Sequence, residues 1–356
     1  MPKNYGKERF MITKIGLDLG YANITVSNVT AEVYREPSVV LVDKNTRHVI
    51  SVGNRADMTD AGGDGILVRP FKNGLLYSSD LTREIIKNAI NSIGAPDKVR
   101  CTVALPSDFI PKQENEVFKM LADAGVEEMY SVNPAVAALI GSGYSPAISA
   151  VSVNVGAAFT EIAVLHNGSV ILKSRDEIGG EDFDRAVKQY IHDEGDMTVS
   201  LLIARTIKER LGAVWQGRES ESIDIEGTLS LTGSKIKMSM CTEDVVGVFE
   251  KPLQKLLSAV ANVVKTIPIE YVPEIFENGI ILSGGGAELY GLDKMMAKVF
   301  GISVTLAPSP IDSVSKGLAR INAFIPAKNR YNQKNITSQL AKFYESKKQA
   351  KVKKGE

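Results

Sequence analysis

The stretch "TKIGLDLGYANITVSNV", residues 13–29, decides how the chain is read, because "AVSVNVGAAFTEIAVLHNG", residues 150–168, repeats its plan. Each climbs through alternating apolar residues to an acid or amide (Asp18, Asn154), then an apolar residue and a glycine (Gly20, Gly156). Each returns through a second apolar run. Such alternation predicts a half-buried strand, and the glycine between the runs predicts a hairpin. Asp18 and Asn154 lie 136 positions apart (154 minus 18), too long a period for a solenoid and suited to two similar domains facing one another. A hairpin that turns at glycine brings backbone N–H groups close to a ligand, with no Cβ in the way. Several such groups aimed at one point form an anion nest, and phosphate is the usual occupant. Asp18, beside the first turn, is an oxygen ligand suited to magnesium held through water.

A third element follows the same logic. "IILSGGGAELYGL" sets Gly284, Gly285 and Gly286 after a buried strand and before a helix, where backbone approaches a ligand or a neighbouring element. Alone it reads as a tight strand–helix turn. The order hairpin, hairpin, strand–GGG–helix is far more specific than any of its parts.

Around these elements the pattern predicts strands at 37–43 and 48–52 and a helix in "SSDLTREIIKNAINSI", capped by Ser79 or Asp80, with Ile85, Ile86, Ala89, Ile90 and Ile93 on one face. Further helices are expected at 111–124, 134–142, from Gly180, at 198–213 and at 243–266, with a polar strand region at 221–240. Strands mixed with long helices indicate an α/β protein, and 356 residues exceed what one core usually serves. Two distant cysteines and three histidines offer neither a disulfide framework nor zinc spacing. With no membrane-length apolar run and no secretory signal, the expected location is the cytoplasm. Net charge is zero, but from Pro326 onward nine Lys or Arg face two Glu, a net of +7, which leaves −7 on the body. A basic tail on an acidic body suits an anionic contact or a solvated end.

The chain resembles the MreB-like bacterial actins of the actin superfamily. "IGLDLGYANITV" is similar to that family's first phosphate loop, D-L-G-T-A-N-T, and "EPSVVLVDKNTRHVISVGNRA" to its EPSVVA-D…-VG-A segment. "VRPFKNGLL", "VALPSDF", "NPAVAALIGSG", "DEIGGEDFDRAV", "TIKERLGAV" and "LSGGGAELYGLDK" match further family segments in order, so the likeness runs from about residue 12 to 322. It implies two facing ribonuclease-H-like domains with small inserted subdomains and a nucleotide cleft between them. Domain I would span 11–150 plus 312–326 (insert about 36–78) and domain II 151–311 (insert about 192–242), with 327–356 as a basic tail. The resemblance further implies ATP or ADP with Mg as cofactors, and self-association into protofilaments. Asp18, Gly20, Tyr21, Ala22, Asn23, Gly156, Ala157 and Ala158 would lie at the phosphates and the metal. Arg205, Thr206 and Lys208 would lie near ribose and base, and Gly284, Gly285, Gly286, Ala287 and Glu288 under the adenosine.

Departures from the family concentrate where hydrolysis happens. The second phosphate loop, D-I-G-G-G-T-T-E in the family, is Asn154 to Glu161 here. Asn154 keeps an oxygen but loses the charge that helps hold magnesium. Ala157 and Ala158 replace glycines, so strain is expected wherever the loop needs positive φ. Phe159 replaces a hydroxyl, while Thr160 remains. The family's catalytic Glu falls on Asn133, which can orient a water but cannot take its proton. Loss of a general base costs on the order of 10²–10⁴ in rate, so Asn133, Asn154 and Thr160 are the degenerate catalytic positions and hydrolysis is expected to be slow or absent. A sugar or acetate kinase on the same fold needs a base that Asn133 and Asn154 do not supply. A monomeric membrane adaptor of the cell-division kind is favoured only by the tail, where Ile336, Leu340, Phe343 and Tyr344 recur at helical spacing among lysines, as in an interfacial helix. Expected partners are copies of the chain, MreB paralogues and an anionic membrane surface; aromatic interleaving is too sparse for nucleic acid.

Overall fold

The computed structural model describes residues 12–57, 65–72, 75–76, 78–94, 96–325 and 333–340, with Lys342, Ser346 and Gln349 beyond. These form two compact units. Unit 1 is drawn from Met1–Leu105, Phe109–Val132 and Ser315–Thr337, and unit 2 from Pro106–Asp108, Asn133–Val314 and Ser338–Glu356.

The repeat read from the sequence is a repeat of sheet topology. In unit 1, Ile12–Leu19, Asn23–Ser27 and Glu32–Pro37 form an antiparallel meander, and Lys98–Ala104 and Glu128–Val132 add in parallel beside the first strand. In unit 2, Ala150–Val155, Thr160–His166 and Ser169–Asp176 form the same meander, and Ile280–Ser283 and Val304–Leu306 add in parallel. Ala150–Val155 is buried at every residue, including the polar Ser152 and Asn154.

In unit 1 the helix Ser79–Asn91 buries Ile85, Ile86, Ala89 and Ile90 on the sheet, and Ser78 caps it by accepting from the Leu81 N–H. The cap falls one residue before the expected pair Ser79/Asp80. Two buried polar side chains tie the strands: Asn322 donates to the carbonyls of Ile15 and Arg100 at 2.8 and 3.0 Å. Arg100 pairs with Glu128 at 2.6 Å, directly opposite it in register, and donates to Ile325 O. The strand expected at 37–43 is split at Ser38 into Glu32–Pro37 and Val40–Asp43, the latter central in a small sheet with Val49–Val52 and Gly65–Val68.

In unit 2, Glu250–Val264 packs on Thr160–His166 and Ser169–Asp176, and Gly180–Gly195 packs against it and against Leu201–Leu211. The polar region at 221–240 is the hairpin Ser222–Leu229 with Lys235–Cys241. The single helix expected at 243–266 is interrupted by a 3-10 turn at Gly247–Phe249. Residues 133–150, expected with domain I, group with unit 2, where Ser152 Oγ donates to Ala135 O.

The tail is helical at Leu340, Lys342, Ser346 and Gln349, as expected, but opens with a strand that was not. Gln333–Asn335 is a strand added in parallel to Glu128–Val132, and Ile336 donates its N–H to Ser131 O. Ile336 and Leu340 are buried, so two of the four apolar residues expected on a membrane-facing stripe are used by the protein itself. Phe343, Tyr344 and the N-terminal "NYGKERFM" lie outside the described residues. Among the described residues no helix is long and apolar enough to cross a membrane.

Candidate functional site

In unit 1 the first hairpin holds its turn by occupying the turn's carbonyls. Ser38 Oγ donates to Gly20 O (2.6 Å), Ser38 N to Ala22 O (2.9 Å) and Arg69 Nη1 to Tyr21 O (3.2 Å). The Arg69 guanidinium also sits over the Tyr21 ring, 5.3 Å from its centroid. A Cβ on Gly20 would lie 2.5 Å from Asn23 O, so the turn admits only glycine there. Among the described residues no protein acceptor takes the Ala22 N–H, which leaves it for a ligand. Asp18 pairs with Thr25 in the hairpin register, and desolvation pushes its carboxyl up to about 6 against the opposing pull of Arg35. A carboxylate short of water and weakly compensated fits a hydrated cation. Among the described residues no three His, Cys, Asp or Glu cluster to hold a metal directly.

Unit 2 repeats the device with different donors. Gly156 N–H closes the turn on Phe159 O (2.8 Å), while Gly156 O and Ala157 O accept from Gly180 N (2.9 Å) and Glu181 N (2.7 Å) at the start of Gly180–Gly195. The N–H groups of Ala157 and Ala158 meet no protein acceptor among the described residues. The strain expected at the two alanines is absent: among the described residues only Arg47, Asn167 and Asp196 have positive φ without being glycine. The loop has kept its backbone donors without needing glycine's left-handed freedom.

The side chains tell a different story. Asn154 is buried, opposite Glu161 on one strand and Ser283 on the other. Thr160 is fully buried and donates its hydroxyl to Ile178 O at 2.7 Å, so that hydroxyl is engaged by the protein. Asn133, expected to orient water, is instead the N-cap of Pro134–Gly141: its Oδ1 accepts from Ala135 N (3.0 Å) and Val136 N (3.2 Å). Its Nδ2 donates to Ser107 Oγ (2.7 Å) and Glu161 Oε2 (3.3 Å). An N-cap of this kind stabilises a helix by about 1 kcal/mol, and it engages the amide from both ends.

Glu161 is a buried ionisable group beside the second loop that the sequence pattern did not single out. It is 5% exposed and accepts from Ser107 N (3.2 and 3.3 Å), Ser107 Oγ (2.5 Å) and Asn133. Arg175 Nε lies 3.8 Å away. Desolvation pushes its carboxyl up to about 7, with Ser107, Arg175 and Asn133 pulling the other way. The available signal was a carboxylate inside an otherwise apolar strand, since Glu is almost never fully buried unless paired. Arg175 in turn bonds Asp108 at 2.6 Å and lays its guanidinium 3.7 Å from the Phe159 ring centroid.

Of the residues expected near ribose and base, Lys208 and Arg205 both turn to Asp184, which is fully buried, at 2.6 and 3.2 Å. Lys208 also donates to Gly180 O, and Thr206 Oγ1 donates to its own helix at Leu202 O. In the glycine triplet, Gly284 has φ +85° and a Cβ there would lie 2.3 Å from Val155 O; one on Gly286 would lie 2.5 Å from Val155 Cγ1. These two glycines serve close packing on the second hairpin. Gly285 is exposed and open to a ligand, followed by buried Ala287 and exposed Glu288. Desolvation raises the Glu288 carboxyl, with Asp312 and Glu209 adding to it.

A repeated meander-plus-parallel-strand sheet, each copy carrying a glycine hairpin with unpartnered amides, defines the actin-like class of nucleotide-binding folds. The MreB/Mbl protein family matches residues 12–330, and the chain belongs to that family. It is 28% identical over 313 residues to the cell shape-determining protein Mbl of Bacillus subtilis (strain 168), covering 85% of this chain and 93% of that protein. It is 28% identical over 318 residues to the cell shape-determining protein MreB of Escherichia coli (strain K12), covering 85% and 91%. Among solved structures it is similar to MreB5 of Spiroplasma citri bound to ADP, at TM-score 0.81, 23% identity and 85% and 94% coverage. It is also similar to the MamK double helical filament, at TM-score 0.76, 20% identity and 89% and 100% coverage.

Proposed function

We propose that the chain is a filament-forming cytoskeletal protein of the cytoplasm that binds ATP or ADP with magnesium and turns the nucleotide over slowly or not at all. The observation that carries this reading is the contrast at the second loop: among the described residues the amides of Ala157 and Ala158 meet no protein acceptor, while Asn133 is spent as a helix cap. Binding to phosphate needs the first; hydrolysis needs a base in place of the second. Asp18 would hold magnesium through water, and the ion would neutralise phosphate charge. Support for assembly comes from family membership and from the likeness to Mbl, MreB and the MamK filament. Co-assembly with a hydrolysing paralogue, and peripheral contact with an anionic membrane, complete the proposal. With Ile336 and Leu340 buried, such a contact would draw on the lysines of the tail.

The test is phosphate release and ATP-dependent pelleting by the full chain. Pelleting with ATP, together with turnover at least a hundredfold below that of an ordinary bacterial actin, is expected. Asn133→Glu alone should recover little, since the new carboxylate would face Glu161 in a dry site. Wild-type turnover equal to that of an ordinary bacterial actin would overturn the slow-turnover reading. Liposome co-sedimentation of full-length chain and 1–325 examines the tail: equal pelleting removes it from the membrane contact.

A further inference from the structure

Glu161 gathers three separate pieces of unit 2. Ser107 comes from the short segment Pro106–Asp108, Asn133 from the start of Pro134–Gly141, and Arg175 from the end of Ser169–Asp176. All three meet at the first residue beyond Thr160, where the strand leaves the second phosphate loop. The charges facing this carboxylate are the Arg175 guanidinium and, behind it, Asp108; the Ser107 and Asn133 contacts are neutral donors. Arg175 is 4% exposed at its side chain and stacks on Phe159, whose carbonyl closes the loop on Gly156 N. A chain of contacts therefore runs from the Glu161 carboxylate to the loop: Glu161, Arg175, Phe159, Gly156.

We propose, resting on the nucleotide-binding reading above, that Glu161 is the positioning residue of the second phosphate loop. Its ionised carboxylate draws Ser107, Asn133 and Arg175 together and so sets the loop's grip on a nucleoside polyphosphate. It is not a catalytic residue, since both its oxygens are taken by protein donors. Charged acceptors make stronger hydrogen bonds than neutral ones, so a proton on Glu161 loosens Ser107 and weakens the pull on Arg175. Burial places that proton near neutrality. The four departures at Asn133, Asn154, Phe159 and Ala157/Ala158 then belong to a rebuilt loop: a neutral amide at 133 allows one ionised carboxylate at 161, and an aromatic ring at 159 gives the buried arginine a face to rest on.

The experiment is fluorescent-ADP binding by the full chain, with magnesium, from pH 6 to pH 8. Wild-type affinity should rise about tenfold across that range. Glu161→Gln, which keeps the shape, should bind about tenfold more weakly at pH 8 and lose the pH dependence. Ser107→Ala, at a partly exposed position, should lower affinity less and keep the profile. Glu161→Gln binding as wild type does, with the same profile, overturns the positioning role and leaves the nucleotide reading intact. Wild-type chain that binds no ADP at any pH overturns the nucleotide reading, and this proposal falls with it. Circular-dichroism melting of each variant separates lost grip from lost fold: Glu161→Gln that melts well below wild type at pH 6, where both are neutral at 161, marks a structural role and also overturns the proposal.

Discussion

The two glycine hairpins share register, turn and occupied carbonyls, yet they spend their polar side chains differently. The first keeps Asp18, a desolvated carboxylate opposed only by Arg35. The second has a neutral Asn154, and its carboxylate, Glu161, stands one residue past the turn-closing pair with four donor contacts around it. The backbone cradle and the chemistry of the site are thus separable. A cradle persists wherever the turn's carbonyls are bonded from behind, by Ser38 and Arg69 in one unit and by the amides of Gly180 and Glu181 in the other. Hydrolytic chemistry depends on which side chains have atoms to spare, and at Asn133, Thr160 and Glu161 the protein itself engages them.

The largest expected consequence of that difference is in stability against pH. Glu161 ionises near 4.5 in the unfolded chain and near 7 in the folded one. Between those values the folded state holds the extra proton, so raising the pH removes stability, by about 3 kcal/mol at full effect. Asp18 acts in the same direction between 3.8 and about 6, with a somewhat smaller effect because its shift is smaller. Denaturant melts of wild type and Glu161→Gln at pH 5 and pH 8 should show the gap between them widening in favour of the variant as pH rises. A constant gap would mean that the Glu161 carboxyl ionises at its ordinary value.

A substitution at the turns sharpens the contrast between the cradles. Gly20→Ala should cost about 2 kcal/mol, because the new Cβ would press on Asn23 O at 2.5 Å and backbone cannot yield cheaply. Ala157→Gly should cost less than about 1 kcal/mol, by unfolded-chain entropy alone, since the alanine backbone is already relaxed. Equal destabilisation of the two variants in thermal melts would show that the second turn depends on its side chains as much as the first depends on lacking one.

Much of this was legible in the sequence because period-2 alternation and glycine turns are local signals. The hairpins, the helix face of Ile85, Ile86, Ala89 and Ile90, and the glycine triplet were all readable on that basis. Glu32–Pro37 was not, because as an outer strand with exposed residues it carries little alternation. Ile336 and Leu340 do recur at helical spacing, but spacing cannot say whether a face meets a membrane or the protein's own sheet. At the site, the family resemblance set Asn133 and Lys208 at ligand contacts. What those atoms bond, the helix amides of Ala135 and Val136 and the Asp184 carboxylate, comes from residues brought near only by folding. Glu161 was hidden for the same reason, its partners lying 14, 28 and 54 positions away (161 to 175, 133 and 107).

The smallest effect concerns the sixth position after Asp18 and Asn154, Ile24 in one hairpin and Thr160 in the other. Both are buried, so the position packs in each, and a hydroxyl there serves either a ligand or the fold. In unit 2 it serves the fold, since Thr160 Oγ1 donates to Ile178 O. Thr160→Val keeps the volume, leaves that carbonyl without its donor and should cost about 1 kcal/mol of stability. ADP affinity should stay within twofold, because no atom of the loop's amides moves with the hydroxyl. Should the variant instead melt as wild type does and lose ADP, the Thr160 hydroxyl would belong to the phosphate, and the two hairpins would differ in chemistry at that position as well as at Asp18 and Asn154.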